Sequence, residues 1–253
     1  KKVCENKISL VTKWLGLGFI HGVMNTDNTS IAGITIDYGP CAFMDEYISD
    51  KVFSSIDRQG RYRYNNQIDI ALWNLSVFAN ALFPILTKDR NESEVINELK
   101  AYFKELEEFA SELWLKEFAK KIGIKNPQES DRVLIIEFLS IMEKEKMDFT
   151  NTFRNLNRLS FKNNEWESKW ISRLRDEYND DEAIKLMNAS NPFIIPRNHQ
   201  VEKAIQSALG EDYEHFHYLV EAYKNPFKEN SNFLDLTLGP KPDEIVHQTF
   251  CGT

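Results

Sequence analysis

The chain has 253 residues, 42% hydrophobic and 28% charged. That is enough apolar surface for a substantial core, and it excludes a disordered or fibrous chain. Its 31 basic and 39 acidic residues leave a formal charge of −8, which argues against nonspecific nucleic-acid binding because no net positive field draws phosphate backbones.

No run of eighteen or more apolar residues occurs, so no transmembrane helix and no membrane partner are expected. No signal peptide precedes the first helical pattern, and the chain starts at Lys1 inside that pattern, as a piece of a longer protein would. Ile8, Val11, Leu15 and Phe19 recur at helical spacing and predict an amphipathic helix over residues 6–20. Two short strands, 30–32 and 34–36, are expected to turn at Gly33 and to leave Asp37 at a strand end. Residues 41–66 lack periodicity and read as a long functional loop.

Helices dominate the remainder. Residues 68–86 are apolar almost all round, as expected of a helix buried in the domain centre. Residues 94–122 form a longer amphipathic pattern closed by Gly123 and Pro127. Further helices are predicted from Ser130 or Asp131 to about Met147, then over 148–159, 164–178, 201–209 and 212–224, with an irregular tail from Asn225. Two prolines hold the segment from Asn191 to His199 out of helix. The reading is one domain over 1–253, mainly α, with a short β-hairpin near its start.

The chemistry-bearing stretch is His21 to Pro40. Kinase-type sites pair H-R-D-x-x-x-x-N with a downstream D-F-G, where the first Asp is the base and the Asn and second Asp hold metal. Here His21-Gly22 is followed by Val23 at the base position, Asn28 falls seven residues after His21, and Asp37-Tyr38-Gly39 follows nine residues later. Two of the three groups are therefore present. Asp27 is the candidate to replace the base, since a carboxylate close to a metal stays ionised and accepts a proton. The alternative is a turn-capping Asp27 in a relic motif, because Asp and Asn are ordinary turn residues. Cys4, Cys41 and Cys251 form no C-x-x-C pair and no zinc spacing.

The run from His21 to Asn28 and the run from Ile36 to Pro40 closely resemble the selenoprotein O family of kinase-like protein adenylyltransferases. So do Gln59 to Tyr62, Asn66-Gln67, Leu72 to Leu75, Asn191-Pro192, Arg197 to His199 and the terminal Phe250 to Thr253. The resemblance implies a protein-kinase-like C-lobe and an ATP bound inverted relative to ordinary kinases. AMP would then pass to Ser, Thr or Tyr hydroxyls of protein substrates. It makes Asp27 the catalytic residue and Asn28 and Asp37 the ligands of Mg²⁺ or Mn²⁺, with Asp37 also meeting the ATP.

Cys251 aligns with the position where some members carry selenocysteine, which is linked to redox regulation through a disulfide with a cysteine after the metal Asp. In this chain Phe53 stands where that partner is expected, so either Cys41 substitutes or the switch is absent. His21 is read as a scaffold residue, and Arg197 as tying the proline-rich loop to the helices. Arg61 is open between phosphate or peptide contact and loop ordering. No Gly-rich loop, nucleotide-binding Lys or Glu partner is recognisable, so an N-terminal lobe is an expected partner and this piece alone is expected to be inactive. The implied compartment is the cytoplasm of a bacterium, or the mitochondrion in a eukaryote. A catalytically silent pseudokinase-like binding or scaffold module is the competing reading.

Overall fold

The computed structural model describes residues 1–176 and 179–250. Helix α1 (Lys2–Gly16) buries Ile8, Val11, Trp14 and Leu15 on one stripe. It leads into a two-residue strand, β1 (Phe19–Ile20), which pairs antiparallel with β2 (Ala42–Phe43) in the register Phe19↔Phe43 and Ile20↔Ala42. This small ladder closes the base of the loop that holds the candidate site.

The expected strands at 30–32 and 34–36 do not form; that segment is turn and irregular chain. Alternation alone cannot make a strand that has no neighbour to pair with, and Ile31 and Ile34 are exposed. Gly33, at φ 70°, turns against Asn6, whose Cβ would lie 2.7 Å from any Cβ placed at Gly33. The hairpin thus lies at the foot of the loop, and Asp37 sits within the loop rather than at a strand end.

Helix α2 (Gln67–Leu86) corrects a second expectation. Its first half buries Gln67, Ile70, Ala71, Asn74 and Leu75, whereas Trp73 and Ile85 are exposed. Over Tyr64–Leu86 it is long and apolar enough to cross a membrane by length and composition. Its buried face nevertheless packs with α1 and with α3 (Glu92–Lys121). Asn91 caps α3, its side chain accepting from the backbone N–H groups of Ser93 and Glu94.

The second half of α3 enters another core with α4 (Asp131–Lys144), α5 (Phe149–Asn155), α6 (Asn164–Arg175) and α7 (Asp180–Ser190). There Trp166 stacks on Phe138 and Trp170 at 4.4 and 5.2 Å, and each indole N–H reaches a carbonyl, of Leu134 and Ile122 respectively. Helix α7 escaped the periodicity argument because its first turn is Asp180, Asp181 and Glu182, with only Ala183, Met187 and Ser190 buried. Lys121, buried at the end of α3, donates to Asn191 at 2.8 Å, and burial pushes its amine down to about 7.

Helices α8 (Asn198–Leu209) and α9 (Glu214–Ala222) enclose a third cluster with Phe193, Ile194 and Leu236. The tail contains a 3-10 segment, Ser231–Thr237, and returns to pair Thr249 with Ser54 in a parallel bridge.

Candidate active site

The loop leaving β1 is pinned by neutral hydrogen bonds rather than by ion pairs. Gln67 on α2 donates to the Phe19 carbonyl at 2.9 Å and accepts from the His21 backbone N–H at 3.0 Å. Two turns along the same helix, Asn74 donates to the Met24 carbonyl at 2.8 Å. Gly22 takes φ 85°, and a Cβ there would stand 2.6 Å from the Pro40 carbonyl oxygen. The two arms of the loop therefore meet backbone to backbone, which only glycine allows.

His21 is fully buried beneath these arms, its ring 5.3 Å from that of Trp14. Its Nε2 lies 2.8 Å from the Ile36 carbonyl, and its Nδ1 accepts from the Val23 N–H at 3.4 Å. A carbonyl can only accept, so Nε2 carries the proton and the ring is neutral. Burial pushes its pKa down, in agreement with that tautomer. The scaffold role expected of His21 is what these contacts describe.

Thr26–Asn28 form one 3-10 turn, capped by Asn25, whose side chain accepts from the Asn28 N–H at 3.1 Å. The Asn28 amide N–H donates to the Val23 carbonyl at 3.0 Å, which leaves its Oδ1 as the acceptor still available. A continuous set of contacts runs from Asn28 through Val23 and His21 to Ile36, the neighbour of Asp37. Asp37 is exposed and holds φ 56°, a left-handed conformation that Asp tolerates better than most side chains. Asp27 is also exposed, and among the described residues neither aspartate makes an ion pair.

An amide oxygen and a carboxylate are hard oxygen donors. They match a Mg²⁺ or Mn²⁺ that keeps waters and shares substrate phosphates, rather than a cation caged wholly by protein. Among the described residues no cluster of three acidic, His or Cys side chains offers such a cage.

The Arg197 block plays a different part. Arg197 is buried and donates to Asp45, to Asp148 at 2.8 Å and to the Thr237 carbonyl at 3.0 Å. It ties α8 to the chain after β2, to the cap of α5 and to the tail. His199 is half-buried beside it, and burial lowers its pKa. Arg61 lies 4.6 Å over the Trp73 ring while its backbone N–H donates to Asp57, an ordering contact for the long loop.

Cys41 is a half-buried free thiol that burial pushes up to about 11. Cys251 lies outside the described residues. Phe53 is a core residue whose carbonyl accepts from Thr249 at 2.9 Å. Sequence reasoning had quoted Gln67 and Asn74 without assigning them roles; two amides on an otherwise apolar helix face were the available signal.

A family model described as "Protein adenylyltransferase SelO" matches residues 1–224. The chain belongs to the SelO family. A protein nucleotidyltransferase YdiU of Ruegeria sp. (strain TM1040) is 47% identical over 261 residues, covering 100% of this chain and 54% of that protein. The YdiU proteins of Halalkalibacterium halodurans and Clostridium perfringens are 43% and 41% identical, each covering 100% of this chain and 53% of the relative. The chain spans about half the length of these curated SelO relatives.

Proposed function

We propose that this chain supplies the catalytic and metal-binding half of a kinase-like protein adenylyltransferase, a C-lobe over residues 1–253 that works with an N-terminal nucleotide-binding lobe. One observation carries the reading: His21 joins the arm bearing Asn28 to the arm bearing Asp37, while Asp27 stays exposed and, among the described residues, makes no ion pair. A relic loop would have no need of a buried, neutral imidazole bridging those two arms. The membership in a nucleotidyltransferase family and the roughly twofold length of the relatives agree with it.

In the proposed step, Asp27 accepts the proton of a Ser, Thr or Tyr hydroxyl on the protein substrate. The freed oxygen attacks the α-phosphorus of ATP and forms a phosphodiester. The bond from that phosphorus to the α–β bridging oxygen breaks, and pyrophosphate departs with the electron pair. Asn28 and Asp37 would hold Mg²⁺ or Mn²⁺, whose charge would offset that of the phosphates. The exposed position of Asp27 keeps it within reach of an incoming macromolecule, as a protein acceptor requires.

The test is incubation of the full-length protein with ATP labelled at either the α- or the γ-phosphate. Transfer of α-label to protein, abolished by Asp27→Ala and by chelation and restored by Mg²⁺ or Mn²⁺, is the expected result. Transfer of γ-label would instead assign ordinary phosphotransfer. Nucleotide binding with neither transfer would favour the silent module; Val23 at the usual base position speaks against ordinary phosphotransfer. The 253-residue chain alone is expected to transfer little or nothing, and addition of the remaining half should restore the activity.

A further inference from the structure

Immediately after Asp37 the chain enters the wall of a groove of about 710 Å³, bounded by the 38–43 segment, α8 and the tail around Thr249. That volume lies in the range of ordinary ligand clefts. Tyr38, Val201, Ile205 and Phe250 line it, and Tyr38, Ile205 and Phe250 are 60%, 49% and 70% exposed. Val201 and Ile205 are one turn apart on the same face of α8. Apolar side chains that stay wet together mark a surface built to be covered.

Two further observations say what covers it. The lining holds no Lys, Arg or His and one carboxylate, Glu202, so nothing there recognises an anionic lipid headgroup or a nucleic acid. The wall also has strand character. Thr249 spends both its backbone groups on one side, donating to Phe53 at 2.9 Å and accepting from Ser55 at 3.0 Å. Backbone groups alternate along a strand, so those of Gln248 and Phe250 face the other way, and among the described residues neither makes a backbone hydrogen bond. An extended polypeptide can add to such an edge while placing a side chain in the apolar groove. Tyr38 and Gly39 are one and two residues from Asp37, within about 7 Å along the chain, so the occupant lies beside the metal ligand.

We propose that this groove seats an apolar side chain of the acceptor polypeptide, so that the neighbouring hydroxyl-bearing residue is delivered to Asp27. The proposal rests on the adenylyltransferase reading, but peptide binding tests it separately. The probes are short fluorescent peptides with a Ser, Thr or Tyr acceptor in a Gly/Ala background, carrying Leu or Asp at one flanking position at a time. With the full-length protein, binding by anisotropy without ATP should favour Leu at one particular position. Transfer of α-label should favour the same position by roughly tenfold or more in kcat/KM.

Ile205→Lys should bring both preferences close to one. Its exposed site permits folding, which thermal unfolding checks, and Val201→Asp provides the second variant. Equal binding and labelling of Leu and Asp peptides, or a preference that survives both variants, would overturn the proposal. So would a concentration-dependent dimer dispersed by Ile205→Lys, which would give the face to a second copy of the chain, or loss of association between this chain and the remaining half in the same variant, which would give it to that half. If no peptide is labelled but the Leu preference in binding is present and Ile205→Lys removes it, the groove assignment stands and the adenylyltransferase reading fails.

Discussion

Two pairs of aspartates sit in this molecule, and they are treated in opposite ways. Asp45 and Asp148 share the buried guanidinium of Arg197. Burial raises the Asp45 pKa as the first effect, and Arg197 draws it back down. Among the described residues Asp27 and Asp37 have no such cation; their loop is held by the neutral groups of His21, Gln67, Asn74 and Asn28. A carboxylate already neutralised by protein has little charge left for a ligand, whereas one held only through its backbone keeps its full charge for a metal or a proton. The difference separates a clamp from a site in a chain rich in acidic residues.

The comparison breaks most directly at Asp27. Asp27→Asn in the full-length protein should lower AMP transfer by roughly 10²–10⁴-fold. Because the side chain is exposed and makes no ion pair among the described residues, stability should change by no more than about 0.5 kcal/mol. Retained transfer, measured with α-labelled ATP, would remove Asp27 from the chemistry.

Arg197→Ala should do the reverse and act on stability. It leaves two partly buried carboxylates facing each other, at a cost of about 3–5 kcal/mol in urea unfolding. A loss well under 1 kcal/mol would show that the clamp is dispensable. Gly22→Ala should cost about 1–3 kcal/mol, because the added Cβ must push Pro40 away, and activity should fall with it as the two arms separate.

The smallest effect concerns pH. The pKa values of His21, His199 and His215 are all lowered, by burial first. Below the ordinary histidine value near 6.5 the unfolded chain therefore binds more protons than the folded one. Stability is fully present above that value and falls as the pH drops through the folded-state pKa values. Urea unfolding between pH 7 and pH 5 should show this decline, and His21→Gln should make it shallower. A stability that rises on acidification would contradict the neutral His21 that bridges the loop.

Much of this was legible in the residue order. The helices of α1 and α3 follow from their apolar stripes, and the spacing of His21, Asn28 and Asp37 singled out the loop. Three features were not legible, each for a physical reason. The pairing of β1 with β2 joins residues more than twenty positions apart through only two residues on each side, too few for alternation to register. The second half of α2, in which no residue is fully buried, is at least as apolar as the first, so composition could not say which half is covered. Residue order reads Arg197 as a tie for the proline-rich loop without naming its partners; only the meeting of Asp45, Asp148 and the Thr237 carbonyl around it makes it a clamp.

By itself the sequence determined the helical class, the family and the candidate groups for the proposed reaction, because these depend on residue type and local spacing. Tertiary structure decided how those groups are held. Asn28 and Asp37 are linked through a buried imidazole, Asp37 adopts its left-handed backbone within a loop closed by β1 and β2, and the tail folds back so that Thr249 donates to the Pro40 carbonyl just after Asp37. Such long-range contacts arise when the chain satisfies buried polar groups in three dimensions, and no local pattern encodes them.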